Sequence, residues 1–161
     1  MLRRLAVLTG LAAAVAATPA AAQAPTPQTL TVTETARGGT SDVVDRPPKS
    51  PTGGEQRRLS RDDSLVITNP LRDSANRPIG RLRVTCAITK AGGFDKAAGD
   101  CLGVFALKAG RIYVTAPLNL AATRTTGTVL AGTGAYAGVH GTWTSVQHRD
   151  GSATDTFSLT R

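Results

Sequence analysis

The chain has 161 residues, a formal net charge of +8 and only 4% aromatic residues. That length admits one domain and a leader segment. Scattered arginines and few rings to stack on bases argue against a nucleic-acid partner, and two cysteines with two histidines make a zinc site improbable. The basic surface suits solubility, or contact with anionic envelope glycolipids or polysaccharides.

Residues 1–22 read as a secretory signal peptide. Arg3 and Arg4 precede an apolar run from Leu5 to Ala17, and Ala20-Ala21-Ala22 offers a cleavage site. The apolar run is shorter than the roughly 20 residues a bilayer span needs, and Pro19 breaks any continuation of it. Residues 23–28 form a flexible tether, and 29–161 the folded domain. "TLTVTETAR" (29–37) is a threonine- and valine-rich first strand. Residues 38–54 are dense in glycine and proline and predict a long loop. "SLVITNPLRD" predicts a strand ending at Asn69-Pro70.

"GRLRVTCAITK" alternates: Leu82, Val84, Cys86 and Ile88 share one face, and Arg81, Arg83, Thr85 and Thr89 the other. Bridging Cys86 to Cys101 sets Val84 opposite Gly103 and Leu82 opposite Phe105, so one apolar face continues across the pair without a slip. Outside the cytosol such a pair is expected to be oxidised. A two-residue turn at Ala109-Gly110 then pairs Leu107 with Ile112 and Phe105 with Val114. Further on, a turn at Asp150-Gly151 sets Trp143 opposite Ser158 and Thr144 opposite Phe157. The mature chain shows seven or eight strands and no clear helix, which in an exported domain of this size points to a barrel or sandwich.

"GTGAYAGVHGTW" (132–143) contains the G-x-G-x-x-A string of a phosphate-binding turn. Such a turn must open a helix, and Gly138, Gly141 and a β-branched run make that helix poor. Gly132, Gly134, Gly138 and Gly141 are therefore expected to shape backbone, permitting a sharp reversal and tight strand bending. No cofactor is expected.

"LAGTGAYAGVHGTWTS" followed by "DTFSLTR" resembles the closing strands of the allene oxide cyclase/dirigent barrel superfamily, most closely its small secreted bacterial members. Upstream, "GRLRVTC" and "CLGVFALKAGRIYVTAPL" stand in the same order. The resemblance implies an all-β fold, an eight-stranded antiparallel barrel with an apolar cavity, and a homo-oligomer, trimer or dimer. It implies cyclisation of an unsaturated fatty-acid epoxide or the steering of phenoxy-radical coupling. Glu34 matches the glutamate that assists epoxide opening in the cyclases. Ala36 replaces the asparagine two residues on, and no Ser-Pro pair stands at the matching spacing, so the water-holding set is incomplete. Asp155 and Arg83 are candidates for the cavity aspartate and arginine of dirigent proteins, and Tyr136 and Trp143 for aromatic lining. His140 and His148 are expected at the barrel surface or mouth. Three readings are open: a barrel binding a small apolar ligand, an isomerase or radical-coupling guide built on it, or a non-catalytic envelope protein with a filled interior.

Overall fold

In the computed structural model, residues 27–47, 58–93 and 95–161 are described. The expected leader, residues 23–26 of the tether and residues 48–54 lie outside them. The described residues form eleven strands: β1 (Gln28–Glu34), β2 (Thr40–Val44), β3 (Arg58–Leu59), β4 (Ser64–Arg72), β5 (Pro78–Lys90), β6 (Gly92–Gly93), β7 (Ala98–Leu107), β8 (Gly110–Pro117), β9 (Arg124–Gly132), β10 (His140–Gln147) and β11 (Ala153–Thr160). Eight of them make an antiparallel barrel in the order β1-β11-β10-β9-β8-β7-β5-β4, closed by β1 against β4.

Alternation builds the interior. Every second residue of each strand points inward, and Val32, Leu82, Phe105, Ile112, Val114, Val129 and Phe157 are each at most 2% exposed. The Phe105 ring meets Phe157 edge to face with centroids 4.8 Å apart, and Trp143 at 5.8 Å. These rings fill the half of the barrel where β1 begins and β11 ends. The other half stays open.

Cys86 and Cys101 are directly opposed and disulfide-bonded, with Val84 opposite Gly103 and Leu82 opposite Phe105. The expected register across β5 and β7 is thus the observed one. Two hairpins differ from expectation. The β7–β8 turn is Lys108-Ala109, pairing Leu107 with Gly110 and Phe105 with Ile112. This displaces the register by two residues and leaves every side chain on its expected face. The β10–β11 turn is longer than two residues, because Gly151 takes φ +79 after a tight turn closed by Gly151 N–H donating to the His148 carbonyl at 3.1 Å. Trp143 therefore opposes Phe157, not Ser158, a one-residue shift that brings both rings to the same side.

Within the segment expected to be loop, Thr40–Val44 forms β2, which takes up the free edge of β4 beyond the point where β1 leaves it. β4 itself runs past Asn69-Pro70 to Arg72. Pro70 is tolerated because the β1–β4 pairing is confined to Thr33–Arg72 and Glu34–Leu71, and Pro70 needs only to accept, from Thr35 N–H at 3.1 Å.

The glycine segment holds a single 3₁₀ turn, Gly134–Tyr136, between β9 and β10. Gly134 (φ +60) and Gly138 (φ +77) make the reversal, and a Cβ at Gly141 would fall 1.9 Å from the Ser158 carbonyl oxygen. No helix leaves this turn to meet a phosphate.

A second, smaller core covers the open end. Leu59, Leu65, Cys86, Ile88, Ala97 and Leu118 pack together there, under the short β3–β6 ribbon. Buried Asp63 fastens it by accepting from the backbone N–H groups of Arg46 (3.0 Å) and Ser60 (2.7 Å). Burial pushes its pKa up, but these donors outweigh burial and hold it below the ordinary aspartate value.

The disulfide joins residues 15 apart in sequence. Replacing both cysteines by alanine is expected to cost about 3 kcal/mol of unfolding free energy on chain-entropy grounds. Urea denaturation of the double variant measures this, and an unchanged midpoint would contradict it.

Candidate functional site

The open half of the barrel encloses a cavity of about 470 Å³, within the range of small-ligand sites. Its two sides differ. Strands β5, β7 and β8 supply Leu82, Val84, Phe105, Val114 and Ala116, together with the Cys86–Cys101 disulfide. Facing them, β4, β1, β10 and β9 supply Asn69, Glu34, Ser145, Gln147 and Thr125. The β8–β9 loop forms the lip, with Leu118 buried and Leu120 37% exposed.

Glu34 is the last residue of β1 and is 7% exposed. Its Oε2 accepts from Asn69 Nδ2 at 2.7 Å. The chain bulges immediately after it, and β2 resumes the pairing with β4. Gly39 makes room in that bulge: a Cβ there would lie 2.2 Å from Asn69 Oδ1. The expected strand-borne glutamate thus faces the cavity. The amide beside it comes from β4, not from the position two residues on, where Ala36 stands.

Asp155 on β11 is fully buried, one layer behind the cavity surface. Its Oδ1 accepts from Trp143 Nε1 at 2.9 Å, and the side chains of Glu34 and Ser145 lie against the same carboxyl group. Ser145 lies directly opposite Asp155 in the β10–β11 ladder, with its Oγ buried. Burial, and next the negative charge of Glu34, raise the Asp155 pKa from 3.8 to about 9. At neutral pH Asp155 therefore carries a proton. With Oδ1 engaged by the indole, that proton belongs on Oδ2. A neutral carboxylic acid thus sits behind the Glu34 side chain, at the back of the polar wall.

The other expected site residues separate. Trp143 lines the cavity. Tyr136 does not: it sits in the 3₁₀ turn at the opposite end, half-buried against the aromatic core, where burial raises its pKa. Arg83 does not line the cavity either. Alternation turns Leu82 and Val84 inward and leaves Arg83 on the outer face of β5. His140 and His148 are both exposed, the latter bonded to Thr154 Oγ1 at 2.8 Å. Asn69 and Ser145 are site residues that the sequence reading does not single out. Their one signal is parity, since each falls on the inward set of its strand.

Among the described residues no cluster of three or more histidine, cysteine or acidic side chains forms a metal site. No helix among them is long and apolar enough to cross a membrane.

The raised pKa has a definite sign. The folded state holds the Asp155 proton more tightly than the unfolded chain does, so this residue's contribution to stability is complete below about pH 4 and is lost as pH rises toward about 9. Asp155→Asn is expected to flatten the pH dependence of stability across that window and to raise stability at its alkaline end. Urea midpoints measured at pH 4, 6 and 8.5 on both proteins check this, and parallel curves would refute it.

No family model matches the sequence, and no curated protein matches it. Solved structures do share its form. A pyocyanin demethylase superposes with a TM-score of 0.62 at 19% identity, over 83% of this chain and 100% of that one. The pterocarpan synthase dirigent proteins PsPTS1 and GePTS1 superpose at 0.59 and 0.54, each at 14% identity, over 85% and 86% of this chain and 95% and 85% of their own. The expected resemblance therefore holds at the level of architecture: the chain has the allene oxide cyclase/dirigent-like barrel fold.

Proposed function

We propose that the protein is an exported barrel that binds a small, mostly apolar ligand, whose one polar edge meets the Glu34 side of the cavity. The observation that carries this reading is the two-sided cavity of about 470 Å³. An apolar wall gains by covering a hydrophobic ring system. The polar wall offers Asn69, Gln147 and Thr125 as hydrogen-bonding groups to one edge of a ligand. A filled interior is what an envelope protein of purely structural role would need, and the open half of this barrel argues for a binder. Export is supported by the leader-like start of the sequence and by the disulfide.

A catalytic reading builds on the same site. Protonated Asp155 and the Glu34 carboxyl group stand together in one enclosure, as the proton shifts of an isomerase or cyclase require. Proteins named for pyocyanin demethylation and pterocarpan synthesis use the same fold. In that reading Glu34 acts on the ligand and Asp155 works through it.

Native mass spectrometry of protein purified from its source is expected to reveal a bound small molecule. Trp143, the chain's one tryptophan, provides a second readout. Titration with the neutral dye N-phenyl-1-naphthylamine is expected to shift or quench its emission. Ala116→Leu, which narrows the apolar wall, is expected to weaken the dye roughly tenfold, the lower range for overfilling a packed site. A barrel that carries no ligand from its source and gives no response to the dye would refute the proposal.

A further inference from the structure

Glu34 brings a carboxyl group into the cavity, and no basic side chain faces it there. Among the described residues Glu34 is its one charged lining residue, and no lysine, arginine or histidine lines it. This contrasts with a chain whose formal net charge is +8. The bases lie outside: Arg83 is on the outer face of β5, and Arg124, next to inward Thr125, is exposed. Asn69 donates to Glu34 and the Asp155 side chain meets it from behind, but neither brings a positive charge. A carboxylate that is 7% exposed loses most of its water, and burying such a charge without a counter-ion is costly.

Three further features bear on what would balance it. Ser145, 4% exposed, is part of the cavity wall and stands against Asp155. The Trp143 indole lines the cavity, and its nitrogen is tied to Asp155 at 2.9 Å, so its position is set from behind. An indole is the best aromatic partner for a cation. Opposite, the wall of Leu82, Val84 and Phe105 suits a flat hydrocarbon surface.

We infer that the cavity selects flat organic cations, ring systems carrying a positively charged nitrogen, over neutral and anionic molecules of the same shape. This rests on the reading of the barrel as a binder and names the class of molecule it takes. The ring lies against the apolar wall, and the positive charge meets Glu34 and Trp143. An anionic ligand, such as a fatty-acid carboxylate directed inward, meets a like charge at the same place.

Three two-ring probes of matched size test it: N-methylquinolinium, 1-methylnaphthalene and 1-naphthoate. Each is titrated into the full chain with Trp143 emission as readout, at about 0.15 M salt so that the exterior arginines are screened. N-methylquinolinium is expected to bind about tenfold more tightly than 1-methylnaphthalene, and 1-naphthoate at least tenfold more weakly than it, consistent with a desolvated cation–π and charge contact. In Glu34→Gln the ratio of cation to neutral affinity is expected to fall to about one. Cation and neutral probes binding within about twofold of each other in the wild type would overturn the inference and leave ligand binding intact. A preference that survives in Glu34→Gln would also overturn it. No response to any of the three would overturn the binding reading as well. The wild-type ratio is decisive by itself if the variant does not fold.

Discussion

The barrel closes through two residue pairs, Thr33 with Arg72 and Glu34 with Leu71. Beyond them β1 cannot continue along both neighbours. β11 has reached its first residue at Ala153, and β4 presents Pro70, which has no N–H to give. The chain therefore bulges out and returns as β2 on the β4 edge alone. Glu34 is the last residue held from both sides. Its side chain is aimed by the seam itself, and Asn69, two residues from Leu71 on the opposing strand, is carried to it by the same closure. If the seam were to slip by one residue, Glu34 would turn outward and the cavity would lose its charged group.

The seam also divides labour along the barrel axis. One half is filled by Phe105, Phe157 and their neighbours and supplies the packing that stabilises the fold. The other half is left open and lined by two unlike walls. The polar wall is tolerable because it is thin: one carboxyl group, one protonated acid behind it, two amides and a few hydroxyls. Asp155 illustrates the balance. Ionised, it would place a second negative charge in a dry site. Protonated, it accepts from the Trp143 indole and fixes the ring that lines the cavity. The same residue therefore couples the aromatic core to the site.

Features that repeat at short range were legible in the sequence. The alternation of Leu82, Val84 and Cys86 and the spacing to Cys101 were enough to read the β5–β7 register. Turns were harder. Asp150-Gly151 looks like a two-residue hairpin, yet Gly151 adopts the left-handed conformation that ends a longer loop, and this moves Trp143 by one partner. Lys108-Ala109 carries no strong turn chemistry, and only the pairing of whole strands selects it. β2 lay hidden among glycines and prolines because its stability comes from an available edge and little from its own residues. The site was legible in part. Glu34, Asp155 and Trp143 stand out as polar or aromatic residues of inward parity. Asn69 is 35 positions from Glu34, and only barrel closure brings them together. Arg83 belongs to the outward set of its own strand, and that parity, more than its charge, decides where it stands.

The disulfide is also part of the cavity wall. Staple and cavity surface are thus the same atoms. In a reducing compartment the barrel would offer two thiols to whatever entered it, more polar and more reactive than the bridge. Oxidation does more than strengthen the fold here: it finishes the lining, so that maturation of the chain and readiness of its interior become a single event.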